Sequence, residues 1–242
     1  MNATPQPFTR PTTGHVNALS LSEAATDRSL LTAEYQRVRQ ASTNFSRRLS
    51  PEDQMLQAMP EASPNKWHLA HTSWFFETFI LQPHLPDYQP LDPAYNQLFN
   101  SYYNAIGEQY PRPQRGLLSR PSLEQVLDYR RHVDDAMETW LNHADDGQLA
   151  ELAQVLVLGL NHEGQHQELM VTDALHGLSH NPLHPAITQP LPAQTMPGAI
   201  HWLDFAGGKA AIGASGEDGF ALDNEQPRHS VWLHDYQLAN RL

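Results

Sequence analysis

The sequence predicts a mostly α fold, a four-helix bundle followed by a short β segment. Three observations carry the prediction. Long stretches place apolar residues at helical rather than alternating spacing. Serine, proline and glycine punctuate those stretches where helices begin and end. Past residue 180 the pattern changes to short, glycine-bounded strand signals.

Residues 1–27 are rich in Thr, Pro, Ala and Ser, lack sustained periodicity, and read as a mobile tail. A first helix is predicted from Arg28 to Leu49, with Leu30, Leu31, Tyr35, Val38 and Phe45 as its apolar face. Ser50-Pro51-Glu52-Asp53 then gives an N-cap, a proline at the first helical position and acids beside the positive helix end. That short helix is expected to run to Met59 and to stop at Pro60. Ser63-Pro64-Asn65-Lys66 repeats the start signal and opens WHLAHTSWFFETFILQ, an aromatic-rich helix whose rings are most simply core. Pro83, Pro86, Pro90 and Pro93 mark a long connection, followed by a short helical segment around Tyr95–Ala105. Residues 110–122 are too dense in proline for regular structure, and they carry Arg112, Arg115 and Arg120. Ser122 caps a third long helix reaching about His143, and Gly147 marks the turn into the last one.

That last helix, residues 151–178, holds His162-x-x-x-His166. Four positions advance about 40° around the axis, so the two imidazoles share a face one turn apart. This is the separation that two ligands of one metal ion need. Alone, the pair is a weak signal, because two solvated or satisfied core histidines have the same spacing. Apolar turns on both sides favour a bundle interior, where facing helices build metal sites. Asp173 lies about 20° from His162, whereas Glu168 lies about 120° from His162 and about 160° from His166 and points elsewhere. A third ligand must come from another helix. His68 and His71 are both available, and spacing does not choose between them.

A net charge of −12 and a pI near 5.5 argue against nucleic acid or an anionic membrane as partner. With no cysteine there is neither a disulfide framework nor a thiolate site. Any metal is therefore held by histidine and carboxylate, which suits iron, zinc, manganese, nickel or copper. No secretory segment opens the chain and no apolar run reaches spanning length, so the sequence reads as cytoplasmic. Residues 181–199 are a Pro-rich linker, and Ile200–Phe205, Ala210–Gly213 and Ser230–Leu233 look like strands.

Three motifs carry a resemblance to a known family. QAMPEASPNKWHLAH with TSWFFETFIL, LFNSYYNAIGEQYPRPQRGLLSRPS, and NHEGQHQEL are similar to segments of the ergothioneine-pathway sulfoxide synthases. The resemblance implies a DinB-like four-helix bundle over residues 28–180. It also implies that residues 200–242 are the truncated start of a formylglycine-generating-enzyme-like (FGE-sulfatase), C-type-lectin-like α+β domain. The expected activity is iron(II)- and O2-dependent joining of the sulfur of γ-glutamylcysteine or cysteine to hercynine (Nα-trimethylhistidine), with oxidation to the sulfoxide. On this resemblance His71, His162 and His166 are the Fe(II) ligands, Arg112 and Arg115 clamp the thiol substrate's carboxylates, and Gln165 belongs to the hercynine site. The family's catalytic tyrosine comes from the second domain and has no counterpart here, so the chain by itself is expected to bind metal and form no product. Rival readings are a selenoneine-type synthase forming a C–Se bond, a DinB-type metal-dependent thiol transferase, and a non-catalytic bundle.

Overall fold

The computed structural model describes residues 27–101, 107–188, 198–215 and 219–241. The expected N-terminal tail up to residue 26 and residues 189–197 of the expected linker lie outside them. Among the described residues four long helices pack together. They are α1 (Arg28–Ser46), α2 (Asn65–Phe76, prolonged by a π turn at Glu77–Leu81 and a last turn at Gln82–His84), α4 (Leu123–His143) and α5 (Asp146–Ser179). A short α3 (Tyr95–Phe99) lies between α2 and α4 in the chain. No helix among the described residues is long and apolar enough to cross a membrane.

Local chemistry sets the helix ends. Asp27 accepts a hydrogen bond from the Leu30 N–H and so caps α1, which buries Leu31, Tyr35, Val38 and Ser42 along one side. Reciprocal capping boxes, Ser122 with Gln125 and Asp145 with Gln148, start α4 and α5. Gly147 therefore lies inside the first turn of α5 and does not mark the turn before it: the Asp145–Gln148 box begins the helix two residues earlier than glycine punctuation suggests. The helix expected up to Met59 shrinks to one 3-10 turn, Asp53–Met55. Gln54 is buried there and bonds back to Ser46, which turns the chain away. Ser63 does not cap α2 either. Its hydroxyl accepts from Arg115 and its N–H donates to Asp173. The segment at Tyr95 ends at Phe99, and residues 102–106 lie outside the described ones. The proline-dense loop folds into a 3-10 stretch, Arg112–Leu117, because its prolines sit at turn-compatible positions.

Every residue of Asn65–Phe76 is buried, so α2 is the central helix, enclosed by α1, α4 and α5. Trp67, Trp74, Phe75 and Phe76 fill the space between them with Tyr35, Tyr129, Met137 and Leu156. α5 packs tightly on α2 at Gly159, where a side chain would meet the rings of Phe75 and Phe76 at 2.7 Å.

Beyond residue 198 the described residues form four short strands, β1 (Trp202–Phe205), β2 (Gly208–Ile212), β3 (His229–Leu233) and β4 (Tyr236–Ala239). They pair as nested antiparallel ladders, β1 with β4 and β2 with β3. β4 carries no alternation strong enough to be read from sequence; its pairing with β1 defines it. The C-type-lectin-like expectation meets a difference here, since two open two-stranded ladders are not the closed, curled sheet of such a domain. Ladders this small cannot bury both faces, and Trp202 and Trp232 remain 63% and 73% exposed.

Candidate metal centre

Two helices build the site. α2 contributes His68 and His71 from one turn, and α5 contributes His162 and His166 from one face. One ring nitrogen from each of His71, His162 and His166 lies within 4.8 Å of the others. The alternative that spacing left open is thereby resolved in space: His71 joins the pair, while His68 stands behind His166, their Nδ1 atoms 2.8 Å apart.

His71 is held on several sides. Its ring stacks on Trp67 and Trp74, with centroids at 4.6 and 5.5 Å and planes 14° apart in each case. Its Nδ1–H donates to the Phe99 carbonyl at 2.6 Å, so the free lone pair is on Nε2. Burial pushes all three rings toward the neutral form. His71 is lowered further by neighbouring His162, and His166 by His71 and His68, while burial takes His162 down to about 4. Neutral imidazole is the ligating form. The buried Nδ1 of His162 has no hydrogen-bond partner among the described residues. Three neutral nitrogen donors and an unsatisfied buried ring atom fit a transition-metal ion, and three protein ligands leave positions open for catalysis.

The imidazoles line a cavity of about 310 Å³ with Ser63, Trp67, His68, Ser101, Arg112, Arg115 and Leu169. Arg115 is buried, its guanidinium 3.4 Å from the Trp67 ring centroid and bonded to the Ser63 and Ser101 hydroxyls at 2.9 and 3.0 Å. Arg112 is half-buried in the same wall, whereas Arg120 is exposed and bonds Ser119. The structure does not bring Gln165 here. It is exposed on another side of α5, in a hollow with Glu34, Arg37 and Asn161. Glu168 is exposed in that same hollow, as helix geometry predicts. Asp173 stays out of the triad and accepts instead from His68 Nε2 at 3.1 Å.

Sequence reasoning passed over Glu163. Fully buried beside His162, it accepts from Ser42 at 2.6 Å, from Arg39 at 2.9 Å and from Arg130. Arg39 also bonds Asp134 at 2.6 Å, so the network ties α1, α4 and α5 together behind the site. Burial alone would raise the Glu163 carboxyl, but Arg130 and Arg39 outweigh it and hold it at about 2. A signal did exist in the sequence. Glu163 continues the buried stripe Leu156, Leu160, Met170, Ala174, and a carboxylate on a core stripe demands a cation.

Bundle, triad and cavity make this chain a potential metal-dependent enzyme. No curated protein matches it. Residues 30–170, well over half its length, match the DinB superfamily, and the chain belongs to that superfamily.

Proposed function

We propose that the bundle is the iron-binding part of a sulfoxide synthase of ergothioneine biosynthesis. The reaction joins the sulfur of γ-glutamylcysteine or cysteine to hercynine with iron(II) and O2, and a second domain continuing from residues 200–242 completes the site. The motif resemblance supplies the substrates. The observation that carries the reading is the convergence of three neutral imidazoles and two guanidinium groups on one small cavity.

Bound iron(II) would supply redox chemistry and open coordination positions for substrates. The chain's own residues do the rest. His71 is held by Phe99 and two indoles, so α2 sets its direction before any ion arrives. Arg112 and Arg115 present positive charge to a thiol substrate's carboxylates. Arg115, locked on Trp67 and two serines, gives a fixed charge to dock against, which suits bidentate recognition. Trp67 and Leu169 supply apolar lining to the cavity. Gln165 has no part in this arrangement.

The test is anaerobic titration. One equivalent of iron(II) is expected per chain, and γ-glutamylcysteine or cysteine should then produce a thiolate-to-metal absorption band that hercynine perturbs. A loaded chain whose spectrum ignores both thiols overturns the reading. After oxygen is admitted, mass spectrometry for the C–S adduct reports whether these residues suffice without the second domain.

A further inference from the structure

His68 does not join the triad, yet it is buried in a specific arrangement. Its Nε2 lies 3.1 Å from Asp173 Oδ2, and its Nδ1 lies 2.8 Å from His166 Nδ1. Asp173 also receives the Ser63 N–H at 2.9 Å, which fixes its carboxylate against the loop before α2. A carboxylate can only accept. His68 must therefore carry its proton on Nε2, which leaves Nδ1 as a bare acceptor. The contact at 2.8 Å then requires the proton of His166 to be on Nδ1, and the lone pair of His166 is left on Nε2.

We propose that Asp173 and His68 form a relay that sets the tautomer and ring direction of His166, making both of them positioning residues for the metal centre. The inference rests on the metal reading above. It differs from the usual single carboxylate or carbonyl behind a metal-bound histidine in placing a second imidazole between carboxylate and ligand. The two α2 histidines thus divide the work, one facing the ion and the other orienting the ligand across the helix interface. His71 has its own orienting acceptor in Phe99, so the relay acts on His166 alone.

Two substitutions at one position separate this role from packing. The amide oxygen of asparagine falls near imidazole Nδ1, so His68→Asn keeps an acceptor for His166. The amide of glutamine falls near Nε2, so His68→Gln keeps the contact with Asp173 and loses that acceptor. Cobalt(II) alone is the probe, titrated into the full chain and read by its visible d–d bands. Expected are roughly 10- to 100-fold weaker binding and shifted bands in His68→Gln, with most of the affinity restored in His68→Asn. Equal affinity and identical bands in wild type and His68→Gln overturn the relay, as does an equal loss in both variants with circular dichroism unchanged. If either variant fails to fold, Asp173→Asn, which keeps the shape and removes the anionic acceptor, takes its place. A loss of several-fold in affinity supports the relay there, and an unchanged isotherm overturns it. A wild-type chain that binds no cobalt(II) refutes the metal reading itself, an outcome distinct from wild-type binding that the variants do not disturb.

Discussion

Glu163→Gln should destabilise the bundle by about 3–5 kcal/mol, the cost of leaving a buried charge without its partner. The substitution keeps the shape of the side chain and removes its charge. Arg39 would retain Asp134, but Arg130 would be left with uncharged acceptors, chiefly the Arg39 carbonyl at 2.8 Å and the Thr72 hydroxyl at 3.1 Å. The acidity of Glu163 gives a second route to the magnitude. Its carboxyl falls from 4.5 to about 2 on folding. At 1.36 kcal/mol per unit this is roughly 3 kcal/mol. The sign is fixed by the direction of the shift. A depressed carboxyl contributes stability that is complete above about 4.5 and lost as pH falls toward 2. Guanidinium unfolding followed at 222 nm measures the difference at neutral pH, and repeating it at lower pH should bring the two proteins together as wild type loses its advantage. A melting temperature lower by roughly 6–20 °C corresponds to the same change. Exposed Glu168→Gln is the control and should stay within about 0.5 kcal/mol. A Glu163→Gln loss under about 1 kcal/mol would show that the two arginines do not depend on this carboxylate.

Gly159→Ala should destabilise by about 1–3 kcal/mol despite alanine's better helix propensity, because its methyl would meet Phe75 and Phe76 at 2.7 Å. Gly164→Ala on the same helix meets nothing within 4 Å and should stabilise by about 0.5–1 kcal/mol; thermal melts of the pair would expose a misplaced α2–α5 contact if their order reversed. His71→Ala, His162→Ala and His166→Ala should each abolish stoichiometric iron(II) binding measured by metal analysis, and full occupancy in any of them removes that residue from the ligand set. Arg115→Lys should weaken thiol binding roughly 10-fold or more, since an ammonium cannot hold both serines and cover Trp67 together. Equal thiol isotherms would show that Arg115 serves only the wall.

Helix periodicity and capping chemistry made the bundle legible, because Ser122 and the apolar stripes act locally, whereas Asp27, read as the end of the tail, is the cap of α1. Choosing between His68 and His71 needed either the family resemblance or the packing of α2 on α5, which no spacing along one helix encodes. Glu163 was hidden for a related reason: its partners Arg39 and Arg130 lie 124 and 33 residues away, so a buried ion network looks in sequence like three isolated charges. Gly147 and Ser63 show how punctuation can mislead. A glycine within a capped first turn and a serine committed to Arg115 both resemble boundary signals until their hydrogen bonds are counted. The β4 pairing was similarly out of reach, since YQLA acquires its extended form from Trp202–Phe205, more than thirty residues earlier.

The enclosure of α2 on every side has a consequence for timing. A helix with no solvent-facing stripe cannot open alone, so its amides should exchange with deuterium only through global unfolding, while those of the β ladders exchange through shallow local openings. His71 rides on that slowest segment. An ion reaching His71 must therefore enter through the cavity mouth near Arg112 and Leu169, and not by transient loosening of the helix that carries it. Loading and loss of metal would then be governed by side-chain motion at the mouth, on a clock far faster than the one that unfolds the bundle.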